Sequence, residues 1–190
     1  MPIRPVLRLG HPLLRQKARD LSPDEILAPE TRALIQDLID TQKASGGIGI
    51  AAPQIGESLR LAVIEFDRNN PRYQGMGELS RTILINARIT VLDPTPQTFW
   101  EGCLSVPGLR GQVTRPSQIR IDYLDETAKA RSIEAKGFVA AVFQHELDHL
   151  DGVLFVDRIE NRPGTTPLAF TPEFEEFGLM GSIDSCRAWT

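Results

Sequence analysis

Residues 144–152 of the chain read QHELDHLDG and carry two of its three histidines. His145 and His149 are four positions apart, so on an α-helix they lie on one face, about one turn from each other. Two imidazoles in this arrangement can bind a single metal ion. Glu146 lies about 100° around the helix from His145, where a carboxylate can take a proton from water. The pattern occurs in metal-dependent hydrolases, although two histidines can also simply pack or pair on a helix.

A helix through this segment is indicated by the residues that precede it. Phe138 and Val142 continue the face that holds the two histidines, with steps of four, three and four residues. Gly137 and Gly152 stand at the two ends, and Gly152 suits a left-handed C-terminal cap. We therefore expect a helix between these glycines.

The composition is that of an ordinary soluble protein. The 190 residues are 41% hydrophobic and 24% charged, enough for one domain with a core. The net charge of −4 gives no general attraction to nucleic acid or to an anionic membrane. Residues 138–143 form the longest apolar run, too short to cross a bilayer, and the N-terminus lacks a signal-peptide core. We expect a cytoplasmic protein without a disulfide framework, since Cys103 and Cys186 are the only cysteines.

The remaining secondary-structure patterns do not alternate as βαβ units, which favours an α+β fold. Three prolines in residues 1–21 indicate an extended arm rather than a helix. Ser22 and Glu25 have the spacing of a capping box. Pro94 and Pro96 are expected to interrupt the chain after a strand. A helix is predicted at residues 29–45, and strands are predicted at residues 60–66, 82–92, 118–124 and 131–135, the last two as a hairpin.

Two other short segments contain residues suited to a binding site. Residues 47–54, GIGIAAPQ, are small enough to let the backbone approach a ligand or another segment closely. Gln54 ends this run with a side chain that can both donate and accept hydrogen bonds. Residues 101–105, EGCLS, contain Cys103, which is either a buried, unreactive cysteine or a metal ligand. Taken alone, the first segment could equally be a tight structural turn.

Together the three segments resemble the signature motifs of the peptide deformylase family. That family carries G-h-G-h-A-A-x-Q (h, hydrophobic), E-G-C-L-S and Q-H-E-x-D-H, and this chain matches every defined position in the same order. The resemblance extends from the N-terminus to about residue 157. It implies an α+β fold with short antiparallel sheets around a central metal-binding helix. The catalytic domain would span residues 1–160, followed by a C-terminal tail at residues 161–190.

The resemblance also implies a cofactor and a reaction. Cys103, His145 and His149 would bind one divalent metal ion and leave a fourth position for water, as in catalytic sites. The family prefers Fe²⁺, with Zn²⁺, Ni²⁺ or Co²⁺ as substitutes. The expected substrate is the N-formyl-methionine end of nascent polypeptides, and formate is the expected product.

Roles for the other motif residues follow from the same resemblance. Glu146 would carry the proton, and the Gln54 side-chain amide and the Leu104 backbone N–H would face the developing oxyanion. Gly49 would pair with the substrate backbone, and Arg110 is either a contact at the rim or a solvated arginine. The residues expected to contact substrate are Gly47, Ile48, Gly49, Phe138, Ala141, Val142 and Arg110, of which Ile48, Phe138, Ala141 and Val142 would form an apolar methionine pocket.

Two alternatives remain at this point. A zinc metallopeptidase of the metzincin type needs a third histidine where this chain has Phe155, and no histidine follows His149. Glu160 or Glu173 could replace it as a ligand, but the other two motifs would then have no role. A non-catalytic metal-binding relative is the second alternative, although the expected proton carrier and oxyanion donors are all present.

Residues 161–190 show no clear periodicity. From residue 163 onward the tail has one basic residue against four acidic ones, so ribosomal RNA would repel it. A ribosome contact is possible but is not expected to use this tail. Phe170, Phe174 and Phe177 indicate packing on the domain itself or on a second subunit, and the chain is expected to be a monomer or a homodimer.

Overall fold

The computed structural model describes residues 3–66, 78–160 and 168–170. Within them, three α-helices accompany one antiparallel sheet of six strands. The helices are Pro23–Leu27 (α1), Pro29–Ala44 (α2) and Gly137–His149 (α3). The strands are Gly49–Ala51 (β1), Leu61–Phe66 (β2), Leu79–Cys103 (β3), Val106–Leu124 (β4), Ala130–Lys136 (β5) and Leu168–Phe170 (β6). The predicted α+β class is confirmed.

Strand β2 lies between the two long helices. Leu61 and Val63 belong to the apolar cluster under α2, whereas Ala62 and Ile64 belong to the cluster under α3. Because successive side chains of a strand point to opposite faces, both faces of β2 are buried. The helix that carries the histidines is therefore fixed against the centre of the sheet.

Strands β3 and β4 are longer than the sequence predicted. They contain 25 and 19 residues and pair from Ile85–Leu124 to Cys103–Val106. The predicted interruption at Pro94 and Pro96 is wrong, because shifts of register on both sides of Asp93 keep the prolines within the strand. Several short sheets were expected. The described residues instead form one sheet, in which β3 and β4 make a long two-stranded ribbon. The predicted hairpin is confirmed as the β4–β5 pair.

The N-terminal arm, which was predicted only to lie over the domain, contacts the loops that carry the sequence motifs. The Leu7 N–H donates to the Gln54 carbonyl at 2.7 Å, and the Leu9 N–H donates to the Ser105 carbonyl at 2.7 Å. These bonds join the loop after β1 to the turn between β3 and β4. The described residues contain no helix that is both long enough and apolar enough to span a membrane.

The predicted C-terminal tail falls mostly outside the described residues, and so does Cys186. Its described part, β6, is antiparallel to residues 109–111 of β4. This segment of the tail therefore packs on its own domain.

Candidate metal centre and active site

Two separate elements bring the three predicted metal ligands together. Helix α3 carries His145 and His149, and Cys103 is the last residue of β3, before the tight turn into β4. One ligand atom from each of these residues lies within 4.8 Å of the others. Cys103 Sγ is 3.3 Å from His149 Nε2. The structure thus unites residues 46 and 42 positions apart in the sequence, as the motifs predicted.

The ring of His145 is oriented by a buried carboxylate. His145 Nδ1 is 2.8 Å from Glu101 Oε2, so its Nε2 remains for a metal ion. Arg115 donates to the same carboxylate from Nε at 2.5 Å and from Nη2 at 2.9 Å. Burial alone would raise the pKa of Glu101, but its bonds to Arg115 and His145 lower that pKa to about 2. Glu101 is therefore an anion that holds the ring of His145, a predicted metal ligand.

The electrostatics of the cluster fit a divalent cation. Burial holds the pKa of His149 well below its usual value, which keeps the imidazole in the neutral form that binds metals. For His145 burial acts in the same direction, but hydrogen bonds to Cys103 and Glu101 raise its pKa above the usual value. This rise reflects negative charge around the ring, which a cation would neutralise. A thiol and two imidazoles are also a donor set suited to iron, zinc and related ions.

Glu146 lies beside the ligand cluster rather than within it. It is 5% exposed, and its Oε2 has no hydrogen-bond partner among the described residues. Its Oε1 side approaches the backbone of Gly49, where an added Cβ would lie 2.3 Å from that oxygen. Burial raises the pKa of Glu146 to about 7, with the charge of Glu101 contributing. A group with such a pKa can both accept and donate a proton near neutrality.

Gln54 presents its amide nitrogen to the same centre. Its Oε1 accepts from the Ala51 N–H at 2.8 Å, which fixes the orientation of the side chain. Its Nε2 is 3.5 Å from Cys103 Sγ and 3.2 Å from Ser105 Oγ. Leu104 lies in the adjacent turn between β3 and β4 and borders the same cavity. Both expected oxyanion donors are therefore at the edge of the metal centre.

Two cavities open on this centre. The larger has a volume of about 650 Å³ and is bordered by Gly46–Gly49, Gln54, Cys103, Leu104, His145 and Glu146, with Leu109, Arg110 and Phe170 also contributing. The smaller, of about 50 Å³, is lined by Ile48, Trp100, Glu101, Gly102, Phe138, Ala141, Val142, His145 and Glu146. Phe138 is held there by edge-to-face contacts with Phe66 and Phe99, at centroid distances of 6.0 and 5.8 Å. All seven predicted substrate residues border one cavity or the other.

The family model that matches the chain is that of polypeptide deformylase, over residues 3–163. The chain belongs to the polypeptide deformylase family. Its function is the deformylation of nascent polypeptides, a hydrolytic reaction, and the family is metal-dependent. This assignment favours deformylation over the metallopeptidase and non-catalytic alternatives.

Relatives of known name agree with the family. A peptide deformylase of Leptospira biflexa is 44% identical over 161 residues, which are 85% of this chain and 90% of that protein. Peptide deformylase 1 of Prochlorococcus marinus is 42% identical and matches 98% of this chain and 95% of its own length. The similarity to the second protein thus includes the C-terminal tail.

Solved deformylase structures share the fold. The Met-Ala-Ser-bound class I type b enzyme of Acinetobacter baumannii is 34% identical, with a TM-score of 0.80 over 83% of this chain and 99% of its own. The actinonin complex of the Synechococcus elongatus enzyme is 37% identical, with a TM-score of 0.74 over 85% and 81% of the two chains. The predicted fold of this family is therefore confirmed.

Several residues of this deformylase site were not assigned a role from the sequence. Glu101 lies within a motif, and the rule that a metal-bound histidine bonds a carboxylate through its other nitrogen could have identified it. Trp100 directly precedes the second motif, whereas Arg115 and Phe170, of which only Phe170 was expected to pack on the domain, are brought to the site by the folded sheet. No pattern in their local sequence indicates such a role.

Proposed function

We propose that this deformylase removes the formyl group from N-terminal formyl-methionine with a divalent ion held by Cys103, His145 and His149. The observation that carries this proposal is the close approach of these three donors beside a buried, unpartnered Glu146 carboxylate oxygen. A divalent cation there supplies Lewis acidity, which activates water and polarises a carbonyl group. We propose Fe²⁺ as the native ion, with Zn²⁺, Ni²⁺ or Co²⁺ able to replace it. Metal analysis of protein purified without oxygen tests this choice.

Glu146 carries the proton in this proposal. Its carboxylate accepts a proton from the attacking water and returns it to the amine that leaves when the C–N bond of the formamide breaks. Formate and a free amino terminus are the products. The burial of Glu146 and its unpartnered Oε2 support this role, because that oxygen is available to take up the proton and return it.

Gln54 and Leu104 stabilise the charge that develops on the formyl oxygen. Gln54 contributes its Nε2 hydrogens, which already point towards Cys103, and Leu104 contributes its backbone N–H. The bond from the Ala51 N–H to Gln54 Oε1 supports this role, because it prevents the amide from presenting its oxygen instead. A donor of this kind contributes about 100- to 1,000-fold to the rate.

The substrate occupies both cavities in this arrangement. The methionine side chain enters the small apolar cavity, whose lining includes Ile48, Phe138, Ala141 and Val142. The peptide backbone passes Gly47 and Gly49 and reaches Arg110 at the larger cavity. We propose a cytoplasmic location, because the substrate is a chain that emerges from the ribosome.

Replacement of Glu146 tests the mechanism. We expect Glu146→Gln to retain the metal ion, because the three proposed ligands are unchanged, and to lose about 100- to 10,000-fold in kcat. Formate release from a formyl-methionyl peptide and metal content are measured together. Glu134→Gln, on the exposed face of β5, is the matched control and should be fully active. Loss of the metal with the Glu146 side chain would identify Glu146 as a ligand and contradict the proposed role.

A further inference from the structure

Strand β6 adds a segment of the tail to the substrate cavity. The match to the family model ends at residue 163, and β6 follows it at Leu168–Phe170. The strand pairs with residues 109–111 of β4, and its last residue, Phe170, borders the 650 Å³ cavity. The cavity wall therefore includes a side chain from outside the region that the family model matches.

The register of this pairing directs Phe170 to the cavity. Phe170 is opposite Leu109, and directly opposed residues of antiparallel strands project to the same face. Both residues border the same cavity. Phe170 is also 44% exposed, so much of its ring is available to a ligand. Together the two side chains make an apolar stretch at the rim.

The position of this stretch decides which part of a substrate it can meet. The formyl group must reach Cys103 and Glu146 at the metal centre, and the first side chain has its own cavity beside Phe138. The following residues must then leave through the larger cavity. Its two sides are formed by the glycine-rich segment 46–49 and by the β4–β6 rim.

We infer that Phe170 determines specificity for the second and third residues of the formylated peptide and favours apolar side chains there. This inference rests on the proposed function, because it takes the formyl group to lie at the metal centre. Arg110 borders the same cavity, and its positive charge would favour acidic rather than apolar side chains. If Arg110 set the selectivity instead, acidic side chains would be preferred at these positions.

The test compares substrates that differ only after the first residue. The peptides are formyl-Met-Leu-Leu, formyl-Met-Ser-Ser and formyl-Met-Asp-Asp, and kcat/KM for formate release is measured for each. We expect the wild-type enzyme to prefer the leucine peptide over the serine peptide. Phe170→Ala should reduce this ratio about tenfold, the scale of losing a small apolar contact. Phe170→Leu should retain most of it, and Phe170→Lys should shift the preference towards the aspartate peptide.

Leu168→Ala is the matched control. Leu168 lies in the same strand with 43% exposure but does not border the cavity, so its replacement should leave the ratio unchanged. An unchanged ratio in Phe170→Ala, or an equal loss in Leu168→Ala, would overturn the inference. If Phe170→Ala fails to fold, Phe170→Leu and Phe170→Lys are compared instead. Equal ratios of kcat/KM for the leucine and serine peptides in these two variants would also overturn the inference. Absence of formate release from all three peptides with the wild-type enzyme would instead contradict the proposed function.

Discussion

Glu146 occupies the space in which a side chain at position 49 would begin. A Cβ on Gly49 would lie 2.3 Å from Glu146 Oε1 and 2.6 Å from Glu146 Cγ, closer than atoms can approach. Gly49 is therefore the residue that lets α3 bring its carboxylate against β1. From the sequence, the glycine-rich segment was expected to approach either a ligand or another segment, and the structure shows that at Gly49 it approaches another segment, α3.

Gly49→Ala should consequently impair catalysis through Glu146. The new methyl group displaces the carboxylate, so we expect a loss of about 100-fold or more in kcat, comparable to a lost general base. Metal content should be unchanged, because the three atoms nearest to this methyl group all belong to Glu146, which is not one of the proposed ligands. Turnover and bound metal are measured in the same preparation.

Gly47→Ala provides the comparison for this variant. Its Cβ would lie 3.0 Å from Leu104 Cδ1, the end of a flexible side chain that can move. We expect a smaller loss than for Gly49→Ala. Equal losses would indicate that any side chain in the glycine-rich segment blocks the substrate, and that displacement of Glu146 is not the cause.

Glu101 offers a separate prediction, about metal affinity. Glu101→Gln keeps the shape of the side chain but removes the charge that holds His145 Nδ1 and pairs with Arg115. Loss of such an outer partner typically costs about 10- to 100-fold in metal affinity. Competition with a chelator measures the affinity. Glu65→Gln, in an exposed pair with Arg81, is the control and should bind metal as the wild type does.

The site could be predicted from sequence further than the fold could. His145 and His149 lie on one helix that the local sequence predicts, and Cys103 lies in a short motif. A local pattern therefore identifies each of the three residues. The long β3–β4 ribbon has no such signal, because Pro94 and Pro96 normally end strands and only bulges beside Asp93 accommodate them. The pairing of β3 with β4 depends on the register between residues that are far apart in the sequence, and composition and spacing do not specify that register.

The small cavity leads to a prediction about the first substrate residue. Ile48, Phe138, Ala141 and Val142 give it an apolar lining, so formyl-norleucyl peptides should be cleaved within about tenfold of formyl-methionyl peptides. Formyl-aspartyl peptides should be poor, because the cavity is also lined by an acidic side chain, Glu101, whose low pKa keeps it charged. Values of kcat/KM for the three substrates are compared. Similar values for aspartyl and methionyl peptides would contradict the assignment of this cavity.

Gly152 packs the segment that follows α3 against the N-terminal arm. Its φ is +73°, and a Cβ there would lie 2.7 Å from the backbone carbonyl of Arg15. Gly152→Ala should therefore suffer both backbone strain and a backbone clash, and strain alone costs about 1–3 kcal/mol. One kcal/mol shifts Tm by about 2–4 °C in a domain of this size, so we expect the strain alone to lower Tm by roughly 2–12 °C and the clash to lower it further, measured by thermal unfolding.

Gly10→Ala separates these two causes. Gly10 has φ +103°, but an added Cβ would meet nothing within 4 Å, so this variant has the strain without the clash. We expect it to lower Tm by less than Gly152→Ala does. Equal decreases would mean that the contact between Gly152 and the arm adds nothing to stability. A larger decrease for Gly152→Ala, with a parallel loss of bound metal on warming, would show that the arm holds the end of α3 and, through it, His149.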